Sequence, residues 1–164
     1  MNSAVCLLER SCGLWPDNKA VSDAETTLTY RELRDRSRRA AGALIGELSS
    51  RAPVMVYLPK SADMITGFCA AMYAGRPYVP TDAAAPRGRL DELVSRGHDG
   101  AEIDSALKTV TDSDPIYIMY PSGSPGAPKG VTIPHRGVLL FARWAERTFG
   151  WTSGTVIANQ APLY

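Results

Sequence analysis

Short apolar runs and helix-period segments take turns along this chain, and that alternation limits the fold more than any single motif. "PVMVYLP", "PYVP", "IYIMY", "VTI" and "TVIANQAPLY" read as strands, the first as a buried one bounded by prolines. Between them stand "SADMITGFCAAMYAG", "PRGRLDELVSRG" and "RGVLLFARWAERTFG", which read as helices. Strand following helix following strand predicts an α/β fold with a mostly parallel sheet flanked by helices. The 164 residues suffice for one modest domain with a hydrophobic core. Ahead of this pattern, "KAVSDAETTLTY" (Lys19 to Tyr30) has two β-favouring arms around Asp23-Ala24-Glu25 and is expected to form a hairpin.

The helix boundaries are punctuated. Thr29 and Glu32 have capping-box spacing, and Leu28 is placed to staple onto Leu33. Leu33, Ser37, Ala40, Ala41, Leu44 and Leu48 then recur on one face. Arg31, Arg34, Arg36, Arg38 and Arg39 lie elsewhere on that helix. A nucleic-acid helix is the sharper reading of this run. Glu32 and Asp35 interrupt it, no aromatic partners accompany it, and the chain's formal charge is only +1, so a solvated face is expected instead. Ser61 is placed to cap the next helix and Gly75 to end it; Pro86 and Gly97 bracket another. In "RGVLLFARWAERTFG", Val138, Phe141, Ala142, Ala145 and Phe149 share a side.

Several function classes drop out. Cys6, Cys12 and Cys69 are too few and too irregular for a disulfide framework or a zinc cluster, and Cys69 is expected to be a buried thiol. A cytoplasmic setting fits that usage. The apolar start breaks at Glu9 and Arg10 without a basic leader, so it does not read as a signal peptide. No apolar run approaches the roughly 18 residues of a membrane span. No HExxH or GxSxG motif occurs, and His98 and His135 have no partner set around them.

One stretch stands apart. "YPSGSPGAPKG" (Tyr120 to Gly130) sets small residues and a lysine between two apolar runs. Backbone N–H groups converging from such a loop suit phosphate oxygens. Gly123, Gly126 and Gly130 permit positive φ, Ser122 and Ser124 add hydroxyl donors, and Lys129 adds a mobile cation. A plain surface turn is the other reading of such a cluster. The P-loop pattern G-x-x-x-x-G-K-S/T fails, because Pro128 stands where its second glycine would be and Gly130 follows Lys129. The dinucleotide pattern G-x-G-x-x-G is also absent.

"YPSGSPGAPKGV" resembles the phosphate loop Y-T-S-G-S-T-G-x-P-K-G-V of the adenylate-forming enzymes, which include nonribosomal peptide adenylation domains, acyl-CoA synthetases and amino acid–carrier protein ligases. "LTYREL" (Leu28 to Leu33) and "MYAGRPYVPTDAAAPRGRL" (Met72 to Leu90) resemble that family's first and second core motifs, in the right order. The resemblance implies that residues 19–164 are a partial AMP-binding domain behind a lead-in of residues 1–18. It implies ATP and Mg2+ as cofactors, with Ser122, Gly123, Ser124, Gly126, Lys129 and Gly130 at the β- and γ-phosphates. It also implies two steps: a carboxylate attacks the α-phosphorus of ATP, then a carrier protein's phosphopantetheine thiol takes the acyl group. The tail "NQAPLY" is similar to the N-Q-A-P of ligases that load D-alanine or related amino acids, which favours an amino acid substrate. No nucleic acid and no membrane partner is expected.

The chain departs from the pattern in three places. Pro121 and Pro125 replace the loop's threonines, removing donors. A lost charge-assisted hydrogen bond of about 1.5–3 kcal/mol corresponds to roughly ten- to hundredfold weaker phosphate binding. "HDGAEIDSALKTVTDSDP" is shorter than the helix–strand stretch of relatives, so a missing strand and an unpaired sheet edge are expected. The family's F-D-x-S, its aromatic-G-x-T-E, a later Asp and a C-terminal Lys find no match within the sequence. The expectation is a ligase fragment inactive by itself; the alternative is a degenerate, non-catalytic remnant that serves as a binding or interaction module.

Overall fold

The computed structural model describes residues 3–48, 51–81, 94, 95, 97, 99–120 and 129–160. Helix α1 (Val5–Leu14) opens the fold and leads into the hairpin β1 (Lys19–Ser22) and β2 (Thr27–Thr29). The hairpin is antiparallel, with Val21 opposite Leu28 and Ser22 opposite Thr27. Asp23 sets its turn: Oδ1 accepts from the amides of Glu25 and Thr26 at 2.8 and 2.7 Å. Its Oδ2 accepts from the Ala62 amide at 2.8 Å, so the turn also covers the start of a later helix.

Helix α2 (Tyr30–Glu47) begins on the expected capping box. Thr29 Oγ1 accepts from the Glu32 amide at 3.2 Å, and Glu32 Oε2 accepts from the Thr29 amide at 2.8 Å. The Thr29 amide and then its hydroxyl, both donating to Oε2, hold the Glu32 carboxyl below its usual range. Leu33, Ser37, Ala40, Ala41 and Leu44 are buried as the spacing required, whereas Leu48 lies just past the helix and is exposed.

Strand β3 (Val54–Tyr57) leads to α3 (Ala62–Tyr73), capped by Ser61 Oγ on the Met64 amide and ended by Gly75 at φ +67°. Ala40 and Ala41 of α2 meet Ala70 and Tyr73 of α3 in the main core, joined by Val5 of α1. Small residues at that seam let the two helices approach closely, and Ser37 Oγ donates to the Thr66 carbonyl across it at 3.4 Å. Strand β4 (Tyr78–Thr81), helix α4 (Ala101–Lys108), strands β5 (Pro115–Met119) and β6 (Val131–Pro134), and helix α5 (His135–Phe149) follow among the described residues.

The main sheet runs β3-β4-β5-β6, parallel from β3 to β5, with β6 antiparallel to β5. Phe68 of α3 stacks on Tyr78 at 4.3 Å, and Tyr78 stacks on Tyr117 at 5.6 Å, which seats α3 on one sheet face. The mostly parallel α/β class holds.

Five expectations change. "PVMVYLP" is not fully buried: β3 is an edge strand, and Met55 and Tyr57 face outward. The short "HDGAEIDSALKTVTDSDP" leaves no edge between β4 and β5, which are adjacent through the register pair Tyr78–Tyr117; it folds instead as α4, seated by buried Ile103. "TVIANQAPLY" forms no strand over residues 155–160, where no described strand lies alongside to bond it. In α5 the buried residues are His135, Leu139 and Ala145, while Phe141 and Phe149 face outward.

The arginine face is also not simply solvated. Arg38 is only 14% exposed and ties four helical segments together. Its Nε donates to Asp99 at 2.8 Å and its Nη2 to Asp104 at 3.0 Å, while Nη1 lies 3.6 Å from Glu9. Tyr73 Oη donates to that same Glu9 at 2.5 Å, and the guanidinium sits 5.4 Å over the Tyr73 ring. The bond from Arg38 holds the Asp99 carboxyl down; burial, aided by Glu9, pushes the Tyr73 phenol up. Arg31, Arg34 and Arg36 pair at the surface with Asp17, Asp35 and Asp63. Most of "PRGRLDELVSRG" lies outside the described residues, with Val94 and Ser95 helical.

Candidate functional site

The glycine-rich stretch joins β5 to β6, which pair antiparallel with Met119 opposite Val131 and Tyr117 opposite Ile133. It is therefore a hairpin connection rather than a strand-to-helix crossover. Because β3, β4 and β5 run parallel, Tyr57, Thr81 and Met119 end on one rim of the sheet, and the connection leaves from that rim. Open α/β sheets bind ligands outside these carboxyl ends.

Of the residues expected at phosphate, Lys129 and Gly130 are described, and both are exposed. Ser122, Gly123, Ser124 and Gly126, with Pro121 and Pro125, lie outside the described residues. Lys129 makes no ion pair among the described residues. Gly130 differs from expectation in its reason for being glycine. The described glycines with positive φ are Gly75 and Gly150, not Gly130. A Cβ at Gly130 would stand 2.9 Å from Ile118 Cγ2 and 3.2 Å from Tyr120 Cζ. Close approach to the outgoing strand is what requires glycine there, and the run "IYIMY" gave no sign of it.

Two neighbours were not singled out by sequence. Lys60, just past the carboxyl end of β3, donates from Nζ to the Asn159 carbonyl at 2.5 Å and ties the chain's late segment to this rim. A lysine after a strand has no signature that would have flagged it. His135 stands at the foot of the hairpin, where the Asp114 carbonyl accepts from its amide at 3.0 Å. Its side chain is buried, and Nδ1 accepts from the Ala4 amide at 3.1 Å, which places the neutral ring's proton on Nε2. It sits at the first turns of both α1 and α5, where positive charge is disfavoured. Burial pushes the imidazole below its ordinary 6.5 against an opposing pull from Asp114. The ring is a structural clasp between the starts of α1 and α5. Cys69 is buried, and burial pushes its thiol up to about 12; Cys6 and Cys12 are unpaired thiols.

Comparison with known proteins places this geometry. The family model described as "AMP-binding enzyme" matches residues 8–99 and 95–164. The D-alanine–D-alanyl carrier protein ligase of Bacillus velezensis is 34% identical over 181 residues, covering 90% of this chain. This chain spans 36% of that relative's length. Among solved structures, VinN in complex with 3-methylaspartate superposes with a TM-score of 0.71 at 22% identity, over 91% of this chain and 52% of VinN. The o-succinylbenzoate CoA synthetase MenE of Bacillus subtilis, in complex with the acyl-adenylate intermediate OSB-AMP, gives 0.65 at 21% identity, over 88% of this chain and 46% of MenE. At those identities the structural likenesses establish the fold. The family-model match spans nearly all of the sequence, and the chain belongs to the AMP-binding enzyme family.

Proposed function

We propose that the Tyr120–Gly130 connection is the phosphate-binding part of an ATP-dependent ligase that activates a carboxylic acid, an amino acid by preference, as its acyl-adenylate for transfer to a carrier-protein thiol. In this reading residues 19–164 are a partial AMP-binding domain, and α1 of the lead-in packs against it. The observation that carries the reading is the exit of this connection at the carboxyl rim of the parallel strands, with Lys129, which has no ion pair among the described residues, beside a glycine held against Tyr120. The amino acid preference is supported by the name of the B. velezensis relative and by the aspartate-type ligand of VinN.

The chemistry falls to charge. When ATP binds, it supplies the adenylyl group and pyrophosphate as leaving group. Lys129, the amides of Gly123, Gly126 and Gly130, and the hydroxyls of Ser122 and Ser124 hold and orient the β- and γ-phosphates as negative charge grows there. Among the described residues no group of three or more His, Cys, Asp or Glu side chains is placed to hold a metal ion. No described helix is long and apolar enough to cross a membrane, and the free cysteines support a cytoplasmic setting.

Isothermal titration of the whole chain with Mg-ATP tests the reading. Saturable binding that Lys129→Ala weakens roughly tenfold, the effect of one lost charge-assisted contact, is the expected result. No heat from a folded chain, or heat indifferent to Lys129→Ala, overturns it. A second reading, a degenerate, non-catalytic remnant that serves as a binding or interaction module, is favoured by Pro121 and Pro125 in the loop. It expects no ATP–pyrophosphate exchange with any amino acid at high protein concentration.

A further inference from the structure

The rim opposite the glycine-rich connection gathers positive charge. Arg51 and Arg76 lie just ahead of β3 and β4, at the amino ends of the parallel strands. Three helices finish at the same end: α2 at its cap Leu48, α3 at Ala74 and α4 at Thr109. Arg76 is only 6% exposed, and its Nη2 donates to the Leu48 carbonyl at 2.7 Å. Its Nε and Nη1 are buried and have no hydrogen-bond acceptor among the described residues. Arg51 is exposed, and its Nη2 donates to Thr109 Oγ1. Neither arginine has an ion pair among the described residues. Burial, and then the charge of Arg51, pull the Arg76 guanidinium below its ordinary value.

The carbonyl ends of the helices explain why cations collect here, but they do not saturate them. Each helix end carries about half a negative charge, whereas Arg51, Arg76 and Lys108, the last residue of α4, each carry a full positive one. Capping α2 occupies Nη2 of Arg76 and leaves the N–H groups of Nε and Nη1 without an acceptor among the described residues. A buried guanidinium in that condition is costly, and a like charge beside it adds to the cost. An oxyanion relieves both, by accepting charged hydrogen bonds and by standing between the two cations. We propose that Arg51 and Arg76 form a binding site for a small phosphate-type oxyanion at the amino rim of the sheet, with Arg76 as its buried anchor and Arg51 as its solvent-facing entry. Two guanidiniums without a carboxylate partner favour a dianion over a monocarboxylate. The connection that carries Lys129 leaves from the other rim, so this site is separate from the one in the proposed function and does not depend on it.

The test is calorimetric titration of the whole 164-residue chain with inorganic phosphate, repeated with acetate at matched ionic strength. Each titration is run on the native chain and on Lys129→Ala, which tells apart any phosphate held at the glycine-rich connection. Saturable phosphate binding that persists in Lys129→Ala is expected, with acetate at least about tenfold weaker. Arg76→Met should abolish it. Arg51→Ala, at an exposed position, should weaken it at least about tenfold, and carries the test by itself if Arg76→Met does not fold. Urea midpoints give a second readout: phosphate should raise that of the native chain more than that of Arg51→Ala. An equal rise in both is the general effect of an excluded salt and overturns the proposal. A folded chain that binds no phosphate, binds acetate as tightly, or keeps its phosphate affinity in Arg51→Ala overturns it too. Binding that Lys129→Ala removes and Arg51→Ala spares belongs to the connection, which sinks this site and leaves the proposed function standing.

Discussion

Helices α2 and α5 have similar credentials in sequence and opposite fates in the fold. Each shows apolar residues at helical spacing. Helix α2 buries that face against α3 and α1, begins on a reciprocal cap, and has even an arginine drawn in among three carboxylates. Helix α5 has Pro134 before it with no side-chain cap, buries His135, Leu139 and Ala145, and leaves its largest rings in solvent. Periodicity announces that a helix has an apolar face. Which residues are covered depends on what else is present to lie on them.

The largest expected contrast comes from truncating one leucine in each helix. Leu33→Ala in α2 should cost about 2–5 kcal/mol in urea unfolding, since it empties a buried site. Leu140→Ala in α5 should stay within about 0.5 kcal/mol, because its side chain is exposed. A cost for Leu140→Ala near that of Leu33→Ala would break the comparison.

The same contrast explains what was legible beforehand. The β1–β2 hairpin, the Thr29–Glu32 box, the Ser61 cap and the Gly75 stop are local devices, set by residues within a few positions of one another. They could be read. Helix α1 buries Val5 and Cys12 and packs Leu7 and Leu8 part-way, but its apolar run is broken at Glu9 and Arg10; α4 buries only Ile103, too little for a helical pattern to stand out. At the site, the lysine and the glycines were visible, but the crowding of Gly130 by Ile118 and Tyr120 depends on the antiparallel return of β6, which no spacing encodes. Arg38 looked like one more surface charge, because Glu9 and Asp104 reach it only in three dimensions.

Charge gives the next contrast. Arg38→Met should destabilise by about 2 kcal/mol, losing charged hydrogen bonds that link α2 to Asp99 and Asp104. Arg143→Met, on the exposed side of α5, should change stability by less than about 0.5 kcal/mol. Equal losses, measured as urea midpoints at matched salt, would dissolve the distinction between a drawn-in and a solvated arginine.

The smallest effect expected is that of pH on the clasp between α1 and α5. The folded imidazole of His135 lies below its ordinary 6.5, so the unfolded chain takes up its proton first as pH falls. The contribution of His135 is complete above pH 6.5 and is lost as pH drops through the lowered value. Urea midpoints from about pH 7.5 down to about pH 5 should fall more steeply for the native chain than for His135→Gln, which keeps an acceptor for the Ala4 amide without titrating. Parallel curves would show that the ring does not hold the two helices together in its neutral form.

The antiparallel return of β6 has a thermodynamic consequence for any anion that arrives. Tyr120 and Lys129 leave from and rejoin neighbouring strands whose register is already set by Met119 and Val131. The entropy lost in bringing a segment's two ends together is thus met during folding, before any ligand appears. Closure of those two ends is therefore no part of what an anion's binding would have to offset.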